Sequence, residues 1–162
     1  MRLSLRDGLY SGLIAALLIG LFLMWLWQPE RQVSRHSEKF LRAMQQKDWR
    51  RVADFIASDY KDQWGGDRAL VLARAREVFQ YLSNIQITAS NPSVQFDHGT
   101  GHWQSKILIS GAGGEMMAVL KDRINSLTTP FDLNWRRISW RPWDWKLVGV
   151  SNAELTIPEY VE

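Results

Sequence analysis

The residues weighed for acid–base work or metal binding include the histidines His36, His98 and His102, Asp97 beside His98, and, far along the chain, Asp132. His98, His102 and Asp97 offer imidazole and carboxylate groups. Zinc, however, needs three or four ligands converging on one point, and a Gly-Thr-Gly loop at 99–101 holds none of them rigid. His98 at a turn and His102 opening a strand therefore read as exposed polar residues. Asp132 stands between Phe131 and Leu133, and on a strand it points away from both, toward solvent. His36 has no carboxylate or cysteine arrangement around it. The chain has no cysteine, which excludes disulfides, thiolate metal sites and cysteine nucleophiles. There is no Gly-x-Ser-x-Gly elbow. Gly111 to Gly114 falls between two predicted strands as a hairpin loop, so it lacks the strand-to-helix context of a phosphate loop. No metal and no cofactor is expected.

Nine tryptophans are the compositional oddity, and four of them lie between Trp135 and Trp145 among Arg136, Arg137, Arg141 and Lys146. Three readings compete. Trp135 and Trp145 can be core or cross-strand partners of a hairpin that turns near Arg141-Pro142. Alternatively, Trp140, Trp143 and Arg141 form a tip resting in a lipid headgroup layer. Aromatic and basic residues also stack on and neutralise nucleic acid, but the net charge of +3 is mild, and a nucleic-acid partner is not expected.

The element that sets the location is the run Gly8 to Gln28, GLYSGLIAALLIGLFLMWLWQ, which carries no charge. At about 1.5 Å per residue it reaches roughly 30 Å, the hydrocarbon thickness of a bilayer. Tyr10, Trp25 and Trp27 lie near its ends, where amphipathic rings favour the interface. Bulky Met24 to Gln28 offers no small-x-small cleavage site, so an uncleaved single-pass anchor is expected rather than a signal peptide. Arg2 and Arg6 nearly balance Arg31, Arg35, Lys39 and Arg42. Long domains translocate despite their charges, which favours the soluble part on the non-cytoplasmic side. Gly8, Gly12, Ala16 and Gly20 recur every four residues, a stripe along which two helices can pack closely, and a homodimer is expected.

Beyond the span (8–28), which follows a short tail (1–7), a polar linker (29–36) leads into one domain (37–155) and a C-terminal tail (156–162). Ser34 or Ser37 can cap a first helix through Phe40, Leu41 and Met44. Asp48 caps a second, with Trp49, Val52, Ala53 and Ile56 as its apolar stripe. Asp67 caps a third, with Val71, Ala75, Val78, Phe79 and Leu82 inside and Arg68, Arg74 and Arg76 wet. After Leu82 the period drops to two. Strands are expected over 85–89, ending at Asn91-Pro92, then at 94–96, 103–110, 116–124, 131–135 and 145–150. Helices first and an antiparallel sheet afterwards predict an α+β domain, three N-terminal helices packed on a curved sheet.

This order, with Lys47-Asp48-Trp49, Phe55-Ile56-Ala57-Ser58-Asp59-Tyr60, and Trp145-Lys146-Leu147-Val148 followed by Ser151-Asn152, resembles the nuclear transport factor 2-like superfamily over roughly 37–155. That superfamily's cone-shaped fold is shared with ketosteroid isomerases, scytalone dehydratases and polyketide cyclases. The stretch between Asp59 and Trp64 is too short for the small early hairpin of many relatives. The resemblance implies a pocket between sheet and helices, with Tyr60, Trp64, Phe79 and Trp103 as its candidate lining. It places Asp59 and Tyr60 near the pocket mouth as weak acid–base candidates, although Asp59 reads more simply as a turn residue and Tyr60 as a core wall. No Asp or Glu interrupts the apolar inward face, so a non-catalytic binding or assembly module is expected. Its partners would be the bilayer, a second copy, and a membrane-associated assembly or an apolar small molecule. The alternative is a membrane-tethered isomerase, dehydratase or cyclase acting on an apolar substrate.

Overall fold

The computed structural model describes residues 5–156, with side chains at all but 5–11, 23–26 and 116. Helix α1 runs Leu5–Leu26. Gly8 and Trp25 lie outside the residues with described side chains. The span expected at 8–28 is not recovered as a membrane span, because among the described residues no helix is long and apolar enough to cross a membrane.

Helix α2, Pro29–Gln45, begins at the first residue of the expected linker and takes in all of it. Pro29 sits in its first turn, where a missing N–H costs nothing and the fixed φ suits a helix. Its stripe of Gln32, Val33, Ser37 and Ala43 is buried, which holds the expected linker residues in helical form. Helix α3, Trp49–Phe55, is capped by Asp48, whose carboxylate accepts from the Arg51 N–H at 3.1 Å. Helix α4, Arg68–Gln80, is capped the same way by Asp67 on Leu70 at 2.8 Å. Arg68, expected to be wet, instead turns back and donates to the Ala53 carbonyl at 3.0 Å, tying α4 to α3.

Four antiparallel strands follow in the order β1 (Ser83–Asp97), β2 (Thr100–Ala112), β3 (Phe131–Arg137) and β4 (Trp145–Ser151). The two strands expected at 85–89 and 94–96 are one. Asn91 adopts φ +52° and the register slips between Ser90 and Ser93, so Asn91-Pro92 forms a bulge instead of an end. His98 and Gly99 make the expected tight turn, both at positive φ.

The strand expected at 116–124 is helix α5, Glu115–Ser126. Gly114 is its N-cap rather than part of a hairpin loop. Met117 and Leu120, three apart, pack together against Phe79, Leu82 and Ile85, a helical spacing hidden in an apolar run. The residues after Phe55 run beside β4 as a partial fifth strand: the N–H groups of Ala57, Lys61 and Gln63 donate to Leu147, Val148 and Val150.

The main core lies between α2, α3 and the inner face of the sheet. It holds Val33, Val52, Ile56, Tyr60, Trp103, Leu133, Trp135, Trp145 and Leu147. Phe40, Phe55 and His36 meet the Trp135 ring edge-on at about 6 Å, the aromatic geometry favoured by ring quadrupoles.

Candidate functional site

An open groove of about 570 Å³ lies between α2 and the free edge of β1. Leu41, Ile87, Ala89 and Trp103 give it an apolar floor, while Glu38, Arg42 and Gln45 line it from α2. The Gln45 side chain accepts the Ile87 N–H at 3.2 Å, occupying an edge donor that no strand pairs. The Trp103 indole N–H is buried with no partner. Such a groove can hold an apolar body against this floor. Its lining holds one carboxylate, Glu38, and one guanidinium, Arg42, with no histidine, aspartate or lysine beside them.

Of the four residues expected around one pocket, the structure brings Tyr60 and Trp103 into the same main core, and Trp103 also lines the groove. Phe79 lies in the second cluster, stacked edge-on against Trp49 at 5.8 Å. Trp64 is half-buried away from both, where its indole donates to the Leu155 carbonyl at 2.8 Å.

Asp59 is exposed and accepts from Arg136 at 2.6 Å. The guanidinium hydrogen bond holds its carboxyl below the usual range, the wrong direction for a general acid at neutral pH. Burial, and then the charge of Asp62, drive the Tyr60 phenol far above its ordinary value.

Two placements differ from the sequence reading. Asp132 is not free in solvent but pairs with His102 Nδ1 at 3.0 Å on the outer face of the sheet, and both are largely shielded. His36, for which the sequence offers no partner arrangement, lies between Phe55 and Trp135. Its Nδ1 is 2.7 Å from the Gln32 carbonyl, and burial lowers its pKa despite hydrogen bonds to Gln32 and the Trp143 main chain. Both depend on which strands and loops lie beside them. Because α5 intervenes between β2 and β3, no local spacing announces the His102–Asp132 pair. A shallow cleft of about 260 Å³ beside His36 mixes Arg51 and Lys146 with Asp54 and Asp144, so its charges offset. Among the described residues no group of three or more His, Asp or Glu side chains is placed to hold a metal ion.

No family model matches the chain, and no curated protein does. Solved structures do. Bd1075 of Bdellovibrio bacteriovorus superposes with a TM-score of 0.58 at 10% identity, over 76% of this chain and 40% of that one. This chain thus spans less than half the length of that protein. A nuclear transport factor 2-like protein of Cytophaga hutchinsonii gives 0.53 at 15% identity, over 74% and 93% of the two chains. A putative scytalone dehydratase of Novosphingobium aromaticivorans gives 0.56 at 10% identity, over 82% and 87%. At these identities the likeness shows the fold: an α+β domain of the nuclear transport factor 2-like kind.

Proposed function

We propose that this chain is a single-pass membrane protein whose nuclear transport factor 2-like domain binds or assembles rather than catalyses. The observation that carries the non-catalytic half is the filled interior. Tyr60, Trp103, Trp135 and Leu147 occupy the space between helices and sheet, while Asp59 lies outside it, locked to Arg136. The anchoring half is supported by the charge-free run from Gly8 to Gln28. A homodimer through Gly8, Gly12, Ala16 and Gly20 is supported by the open surroundings of Gly12 and Gly20, where an added Cβ would meet nothing within 4 Å. The soluble domain is assigned to the non-cytoplasmic side.

The test uses the full chain in native membranes. It should resist alkaline extraction, and Gly12→Ile with Gly20→Ile should abolish crosslinked dimers without releasing it. Extraction at high pH sinks the anchor, and unchanged crosslinking removes the stripe as a contact. The groove over Trp103 and the dehydratase-like neighbour favour a second reading, an enzyme acting on an apolar small molecule. Under it, Asp59→Asn or Tyr60→Phe would lower turnover about a hundredfold in a folded protein; under the first, neither changes a measurable activity.

A further inference from the structure

We propose that the end of the domain carrying the β3–β4 loop docks on the anionic surface of a lipid bilayer, an inference that rests on the anchoring reading. Three chain segments meet at this end. Thr100 pairs with Arg136, and Arg137 with Trp145, so the β1–β2 turn and the 138–144 loop leave the sheet together. The first turns of α2 lie over the same end. A Cβ on Gly101 would meet Val33 at 2.6 Å, and His36 shares a cleft with Trp143. The chain therefore leaves α1 and enters α2 at Pro29 beside the loop, and Trp27, just before it, is exposed.

The large apolar side chains exposed here form a group: Trp140, 83% exposed, with Trp143, Ile138, Phe96 and Trp27. The loop is built to present them. Ile138 N–H donates to the Asp144 carbonyl at 2.9 Å, Asp144 N–H to Arg141 at 3.2 Å, and the Trp145 indole to the Pro142 carbonyl at 2.8 Å. These bonds brace the backbone of the loop and hold Trp145 in the core, while Trp140 and Trp143 stand exposed on it. Basic groups surround them. Segments 27–36, 94–101 and 136–146 contain Arg31, Arg35, Arg136, Arg137, Arg141 and Lys146 against Glu30, Asp97 and Asp144, with Arg136 paired to Asp59 and Lys146 sharing a cleft with Asp54. Indole rings settle at the headgroup level and cations are drawn to anionic lipid. A tether in the same bilayer raises the local lipid concentration enough for a weak contact to persist. The contact fixes which way the groove over Trp103 faces.

The absence of cysteine permits single-site labelling of the full chain in nanodiscs of phosphatidylcholine with or without phosphatidylglycerol. An environment-sensitive dye at Ser139→Cys should shift to the blue in anionic discs and lose the shift in molar salt. The same dye at Val119→Cys, on exposed α5, should not move. Trp140→Ser with Trp143→Ser should remove the shift at unchanged thermal stability. Should that pair fail to fold, Arg137→Gln with Arg141→Gln should reduce the shift. Full-length protein that co-elutes with neutral discs yet shows no shift in anionic ones overturns the docking alone, as does an equal shift in both lipids or at both labels. Failure to co-elute with any disc overturns the anchoring instead.

Discussion

The side-chain amide of Asn125 closes both backbone hydrogen bonds of Ile109: its Oδ1 accepts the Ile109 N–H at 2.8 Å, and its Nδ2 donates to the Ile109 carbonyl at 2.9 Å. β3 pairs with β2 only as far as Ser105, so the upper half of β2 would otherwise present bare peptide groups to α5. Gln63 does the same for Asn152 at the other side of the sheet, donating to its carbonyl at 2.6 Å and accepting its N–H at 3.1 Å. Primary amides here stand in for missing strands, which blunts exposed edges without adding residues.

Asn125→Leu should therefore cost about 2–4 kcal/mol, because it leaves two shielded peptide groups unpaired. Chemical denaturation measures this. A loss below about 0.5 kcal/mol would mean that water replaces the amide freely.

How much of this was legible beforehand depends on the range of the forces involved. The caps Asp48 and Asp67, the His98-Gly99 turn and the stripe of α3 are local, and local spacing announced them. The stretch 116–124 reads as a strand because Met117 and Leu120 sit in a run apolar enough to satisfy either period. Asn91-Pro92 reads as a strand end because it ends a strand in most settings, and only pairing with β2 carries β1 through. The resemblance groups Tyr60, Trp64, Phe79 and Trp103, but what sits beside each is decided by long-range packing, which joins only Tyr60 and Trp103 in one cluster. The His102–Asp132 pair needed the β2–β3 register, which no spacing contains.

Gly101 is tight for a reason that can be tested. A Cβ there would come within 2.6 Å of Val33 and 3.0 Å of the Phe96 ring. Val33 is fully buried and has no room to yield. Gly101→Ala should destabilise by about 1–3 kcal/mol. Adding Val33→Ala should recover part of that loss, and additive losses in the double variant would refute the contact.

Acidification should act through His36. Its folded pKa lies below the ordinary 6.5, chiefly through burial, with Lys39 and Lys146 adding to the depression. The unfolded chain thus takes up the proton first. The contribution is complete above about pH 6.5 and is lost as pH falls from there through the folded value. The melting temperature of the wild type should drop more steeply than that of His36→Gln between pH 7 and 5. Parallel curves would show that His36 titrates alike in both states.

Trp103→Phe sets two effects against each other. The indole is fully buried, and its N–H has no acceptor, so removing that donor relieves a penalty of about 1–3 kcal/mol. The smaller ring gives back packing and leaves a void under the groove, a loss of about 1–3 kcal/mol for a substitution of this size. The two nearly cancel, and the variant should unfold within about 1 kcal/mol of the wild type in urea. Trp103→Leu removes the same donor but much more volume, and should lose clearly more. If Trp103→Phe instead costs over about 3 kcal/mol, the indole N–H is satisfied in solution, by water or by a ligand held in the groove. Adding candidate apolar carbonyl compounds to the wild type and the Phe variant then separates those two, since only a ligand raises the wild-type melting point selectively.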